Sequence, residues 1–205
     1  MDYLRSFFDV APSNPTPYPP NQSVFGFWLR LLTANEFSTP WADLSGLATL
    51  LSYLSAGALV LLTAYLTWPR QTAHWKNTFA LGIGLVLVTF SLIVPTSWYH
   101  HFAVDLIPLL LAWFAMPRRA LRAWRAALLV AYGFIGVQGL LWKSLLPHTL
   151  LLSLATYGLL IIYAALATRV QARQPNPATT LYPAQDVADA PRVDRSIAAE
   201  HPVDG

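Results

Sequence analysis

The chain has 205 residues, of which 55% are hydrophobic and only 11% charged, and its mean hydropathy of +0.44 lies outside the balance of a soluble domain. The formal net charge of +3 comes mainly from basic residues in loops beside apolar segments, where they set membrane orientation, so no nucleic-acid partner is expected. The absence of cysteine removes disulfides, thiolate metal sites and thiol nucleophiles together.

Residues 1–45 read as an extracytoplasmic N-terminal segment. Pro12, Pro15, Pro17, Pro19 and Pro20 disfavour a helix and predict an extended, polyproline-like spacer or external loop. Next, Asn21 to Leu32 predicts a short amphipathic helix, with Asn21 as N-cap and Phe25, Trp28, Leu29 and Leu32 on one face. Such a helix is expected to lie at the outer membrane surface. Arg30 falls away from the centre of the apolar stripe, where it can snorkel to water or meet a phosphate.

Five apolar segments follow: Gly46 to Trp68, Thr78 to Val94, Phe102 to Met116, Ala126 to Trp142 and His148 to Thr168. Each approaches the roughly 20 residues needed to cross a hydrocarbon layer about 30 Å thick. The third is short, so it either begins nearer Ser97 or ends within the head-group region, and both options leave His100 and His101 at the lipid boundary. The expected fold is therefore all-α: a polytopic membrane protein with about five transmembrane helices over residues 46–168 and a short interfacial helix before them. From residue 169 the apolar pattern collapses into a polar tail, which is expected to be cytoplasmic and disordered.

Charge sets the orientation. Arg70 and Lys76, then Arg118, Arg119, Arg122 and Arg125, then Arg169 and Arg173 fall in alternate connections, which makes those cytoplasmic. Pro95 to His101 carries neither Lys nor Arg, and the last short turn carries only Lys143, so these connections face outward in a multi-pass cell-membrane protein. That leaves the N-terminal segment outside without a signal peptide. The pattern predicts that further helices precede Met1 in a larger, split or truncated protein.

The candidate chemistry gathers at Ser97-Trp98-Tyr99-His100-His101, where two imidazoles and two aromatic rings occupy the gap between two apolar segments. Ionisable groups are costly in a membrane and tend to mark function. Asp105 stands four positions after His101, so on a helix its carboxylate can orient that imidazole and raise its basicity. Adjacent histidines project about 100° apart, so one of them faces a given pocket. With no third ligand near, neither a metal nor another cofactor is expected. Taken singly, Trp98 and Tyr99 also fit an interfacial aromatic belt, and the histidines fit hydrogen-bonded interface packing. Gly133, Gly136 and Gly139 are expected to permit close helix packing, and Pro108 to kink the third span. His74, His148 and His201 read as solvated.

Two motifs carry a family resemblance. Asn21-Gln22-Ser23 followed by Gly26 and Arg30, and Pro95-Thr96-Ser97-Trp98-Tyr99-His100-His101 followed by Pro108, resemble the C-terminal half of the polyprenol-phosphate-mannose-dependent mannosyltransferase-like membrane proteins, glycosyltransferase family 87. The similarity spans Asn21 to Met116. It implies a GT-C type enzyme that takes mannose or a related sugar from a polyprenyl-phosphate donor and passes it to a lipid or glycan acceptor on the extracytoplasmic side. His100 or His101 would contact the donor phosphate or assist proton transfer, and Arg30 would be the nearest positive charge. Asn21 and Gln22 would bind sugar hydroxyls or brace the pocket, with Ser23 and Ser97 beside them, and Trp98 and Tyr99 would stack on the sugar or polyprenyl chain; Asp105 matches no feature of the family and joins the site by its spacing from His101 alone.

The chain departs from the family in one respect. Family members carry a catalytic aspartate in an outer loop after their first transmembrane helix, whereas Asp2, Asp9 and Asp43 precede every apolar segment here. Two other classes fit the composition: a transporter or membrane assembly subunit using Asp105 and the histidines as a proton or substrate path, and a noncatalytic remnant that packs against partners.

Overall fold

The computed structural model describes residues 15–68, 75–98, 102–116, 121–146 and 148–172. The expected spacer before residue 15, the turn from Tyr99 to His101 and the polar tail after Ala172 lie outside the described residues. Those described contain only helices and their connections, with no strand. We label the helices α1 (Val24–Leu32), α2 (Ser45–Thr67), α3 (Trp75–Ile93), α4 (Phe102–Ala115), α5 (Leu121–Leu141) and α6 (Leu154–Ala172). Two 3₁₀ turns, Trp142–Leu145 and Leu151–Ser153, link α5 to α6.

Among the described residues three helical stretches are long and apolar enough to cross a membrane: Ser45–Thr67, Arg122–Leu145 and Leu151–Ala172. Phe79–Ile93 and Phe102–Ala115 are shorter apolar helices. The observed ends differ from the apolar limits in instructive ways. α5 starts at Leu121 rather than Ala126 because Arg122 and Arg125 are good helix formers. α6 runs on through Arg169 and Gln171 to Ala172 for the same reason, while a turn at Thr149 and Leu150 delays its start beyond His148.

α6 is the central helix, packing against α5, α3, α4 and α2. Its most apolar window is 56% buried, against 17% for each of the spans that contain α2 and α5. In lipid there is little hydrophobic drive between helices, so close approach and polar pairing carry the association. Both occur on α6. A Cβ at Gly158 would meet the Ala131 carbonyl oxygen at 2.7 Å and Ile135 Cγ1 at 3.0 Å, so glycine lets α6 seat directly on the α5 backbone. Within the bundle, Thr63 Oγ1 of α2 lies 2.7 Å from Thr89 Oγ1 of α3 and 3.1 Å from the Tyr163 hydroxyl of α6.

The expectation for Gly133, Gly136 and Gly139 is corrected. A Cβ at any of the three meets nothing within 4 Å, so the glycine that seats α5 against α6 is Gly158 instead. Gly158→Ala is expected to lower stability by about 1–3 kcal/mol through overpacking. Gly136→Ala should be neutral or stabilising by up to about 1 kcal/mol through helix propensity. Thermal unfolding of both variants in matched bilayer nanodiscs checks this, and equal midpoints would contradict the packing assignment.

Candidate functional site

The starts of α1 and α6 and the loop after α3 meet at one end of the bundle, where a cluster of buried polar side chains collects. Pro19 and Pro20 turn the extended segment so that Asn21 and Gln22 enter the bundle instead of starting a helix. The N-cap of α1 is Ser23, whose Oγ accepts from Gly26 N at 3.2 Å. This corrects the expectation that Asn21 caps the helix. Asn21 Oδ1 is already taken by three donors, Ser23 N at 3.3 Å, Ser23 Oγ at 2.9 Å and Ser97 N at 3.1 Å.

The amide nitrogen of Asn21 donates in turn to the carbonyls of Thr16 at 2.9 Å and Pro95 at 2.8 Å. One side chain thus clamps the extended segment, the start of α1 and the loop after α3. Gly26 is part of the same fit, since a Cβ there would lie 2.5 Å from the Asn21 carbonyl oxygen. Gln22 makes the second clamp. Its backbone N–H donates to the Ser97 carbonyl at 3.0 Å, and its Nε2 donates to the carbonyls of Pro19 and of Leu152, the latter at 2.8 Å. Thr156 N donates to Gln22 Oε1 at 3.2 Å, and Thr156 Oγ1 to the Gln22 carbonyl at 2.9 Å.

Arg30 locks the two clamps together. It is 0% exposed, which corrects the expectation that it reaches water. Nη1 donates to the Asn21 carbonyl at 2.7 Å and the Tyr18 carbonyl at 3.4 Å, and Nη2 and Nε donate to Ser153 Oγ at 2.9 and 3.3 Å. A buried guanidinium is tolerable only where its fixed fork of donors finds acceptors. The turn carbonyls and the Ser153 hydroxyl supply them. α1 correspondingly buries Val24, Phe25, Gly26, Arg30, Leu31 and Leu32 and packs on α2. It is integrated into the bundle, and Phe27, Trp28 and Leu29 on its other side remain half-buried.

Asn21, Gln22, Ser23 and Ser97 are all 0% exposed, so the motif residues form a hydrogen-bonded junction and are closed to direct contact from solvent. Trp98 emerges from it, 37% exposed, with its ring 6.2 Å edge-on from Tyr18. Tyr18 also meets Phe37 at 5.3 Å and Trp142 at 5.7 Å, which gives this end an aromatic surface beside the exposed Lys143. Tyr99, His100 and His101 continue from Trp98 outside the described residues.

Two polar atoms near this turn have no hydrogen-bond partner among the described residues: Ser97 Oγ and Asp105 Oδ2. Asp105 is 2% exposed in the first turn of α4, and its Oδ1 accepts from Ser91 Oγ of α3 at 3.0 Å. The carboxyl therefore braces α3 against α4 with one oxygen and leaves the other uncommitted. Among the described residues no group of His, Asp or Glu side chains converges as a metal site.

Sequence reasoning missed Tyr18, Ser153 and Thr156. The available signal was a hydroxyl pair three positions apart at the start of the last apolar segment, Ser153 and Thr156, which a helix presents on one side. Comparison with protein-family models, curated proteins and solved structures finds no match to this chain.

Replacing Asn21 leaves the Ser97 N–H and the Thr16 carbonyl without their partner and the Pro95 carbonyl with only the 3.5 Å contact from Ser23 Oγ. Each orphaned buried group costs about 1–3 kcal/mol. Asn21→Ala should therefore unfold at clearly lower temperature than Lys143→Ala, and amide exchange at Ser97 should accelerate. An unchanged Ser97 exchange rate in Asn21→Ala would contradict the clamp.

Proposed function

We propose that this chain is the C-terminal part of a GT-C type membrane glycosyltransferase that moves mannose or a related sugar from a polyprenyl-phosphate donor to a lipid or glycan acceptor on the extracytoplasmic side. In this reading α2 to α6 all cross the membrane, the polar junction faces outward and the arginine-rich end faces the cytoplasm. The observation that carries it is the pair of bonds joining Asn21 and Gln22 to Ser97. Two motifs more than seventy positions apart, which together resemble one enzyme family, are thereby one physical unit.

The geometry refines the roles. Asn21, Gln22, Ser23 and Arg30 are spent on bonds within the chain, so of the two roles open to the Asn-Gln-Ser motif, bracing is the one it supports. They act as positioning residues, and Arg30 contributes positive potential from behind the turn. Direct contact with the donor falls to His100, His101, Trp98 and Tyr99. One histidine holds the phosphate leaving group or carries a proton in an inverting transfer, in which a general base activates the acceptor hydroxyl. Asp105, four positions after His101 in the sequence, would orient that imidazole through the oxygen left without a partner among the described residues. A membrane assembly subunit is the second reading, favoured by the closure of Asn21, Gln22 and Arg30 to solvent.

The two readings separate in an activity assay. Transfer from a radiolabelled polyprenyl-phosphate mannose is measured in native membranes carrying the wild-type chain, His100→Ala or His101→Ala at equal abundance. Loss of a positioned acid–base group is worth about 10²–10⁴-fold in rate, so at least one variant should fall by that order. Full activity in both variants removes the transferase role from this turn.

A further inference from the structure

The helical repeat of α5 places Leu128, Ala131, Ile135 and Gln138 on one face, and Ala131 and Ile135 are the residues against which Gly158 of α6 seats. Gln138 therefore lies on the side of α5 that packs on α6, and it is 0% exposed. The two helices are joined by a short connection and run antiparallel. Seven positions on from Ala131 along α5 thus correspond to about seven positions back from Gly158, which reaches the Leu151–Ser153 turn. That is the depth of the polar junction, where Ser153 receives Arg30 and the Leu152 carbonyl receives Gln22.

Neither amide atom of Gln138 has a hydrogen-bond partner among the described residues, whereas Asn21 and Gln22 spend theirs within the junction. An unpaired buried amide is costly inside an apolar span, and polar groups kept there mark function. The chemistry of the amide narrows what can complete it, because it offers an acceptor and two donors side by side. An anion would satisfy only the NH₂ group and a cation only the carbonyl oxygen. Two neighbouring hydroxyls answer both. About one turn further on, Trp142 is half-buried, with the exposed Lys143 5.7 Å over its ring. Tyr18 joins Trp142 to Trp98 through edge-on contacts of 5.7 and 6.2 Å, and Trp98 leads into the histidine turn.

We propose that Gln138 and Trp142 hold a hexose ring of the acceptor, the amide bonding two adjacent hydroxyls and the indole lying against the ring's C–H face. An aromatic wall with a few polar groups beside it is the usual make-up of a small-molecule site. The subsite deepens the glycosyl-transfer reading and rests on it. In that reading the histidine turn takes the donor, and transfer requires the acceptor hydroxyl to be held beside it. The ring cluster Trp142–Tyr18–Trp98 supplies that adjacency.

Saturation-transfer NMR with methyl α-D-mannoside on the full chain in nanodiscs tests the subsite without requiring turnover. The wild type should transfer saturation to the mannoside ring protons above the level of empty nanodiscs. Gln138→Leu and Trp142→Leu should each weaken binding about tenfold, while Trp41→Leu, which removes a ring 70% exposed before α2, leaves it unchanged. Because the amide has no partner to lose, Gln138→Leu should unfold at no lower temperature than the wild type. A lowered midpoint would mean that Gln138 is bonded within the chain, and it overturns the proposal. So do undiminished binding by Gln138→Leu and absence of mannoside binding by the wild type. Equal weakening by Trp41→Leu and Trp142→Leu would reduce the rings to an interfacial belt and overturns it as well. These outcomes are separate from the fate of the transferase reading, which the activities of His100→Ala and His101→Ala decide.

Discussion

The Arg30 guanidinium is the contact on which the rest of this end of the molecule depends. It is buried completely, and it ties the Asn21 carbonyl just before α1 to the Ser153 hydroxyl in the 3₁₀ turn that leads into α6. Desolvating a cation is tolerable only when preoriented dipoles replace its water. The Pro19–Pro20 turn aims the Tyr18 and Asn21 carbonyls inward and provides such dipoles. Arg30 in turn fixes where Asn21 and Gln22 sit, and their side chains fix where the loop after α3 ends. A chain of bonds thus runs from α6 through Arg30 to the residue preceding Trp98.

Under the proposed transferase reading, this architecture separates holding from reacting. Residues that look like sugar or phosphate ligands in the sequence are consumed by the junction, and on the proposed transferase reading the groups left for chemistry are those that follow Ser97 in the sequence. Preorganisation of that kind is what a phosphate-transfer or glycosyl-transfer site requires, because positioning energy must be supplied before the reaction rather than during it. Trp98 already stands at the surface beside Tyr18 and Trp142, and Asp105 keeps an oxygen in reserve at the start of α4. The opposite end has a different character, with arginines where the junction has amides and hydroxyls.

Much of the fold was legible because it follows from length and apolarity. The five segments in the sequence reappear as α2 to α6, with ends displaced where Arg122, Arg125 or Gln171 extend a helix beyond its apolar part. Arg30 was misread because a helical stripe assigns an arginine to the polar, outward side. Its acceptors come from a proline turn and from Ser153, more than a hundred positions away, and no local pattern encodes that meeting. The glycines show the same limit. Three regularly spaced glycines on α5 face open space, whereas the isolated Gly158 carries the close backbone contact between α5 and α6. Periodicity locates a face, but only the partner's backbone determines which face is used.

The junction account is tested most directly by proximity. Thr16 and Pro95 both accept from the same Asn21 amide nitrogen, so the extended segment and the loop after α3 must be immediate neighbours. Since the chain contains no cysteine, a Thr16→Cys/Thr96→Cys double variant has a silent background for cross-linking by a short bis-maleimide in native membranes. The account predicts an intramolecular cross-link in the double variant, strongly reduced when Asn21→Ala is added. Failure to cross-link while both cysteines react readily with a monofunctional maleimide would contradict it.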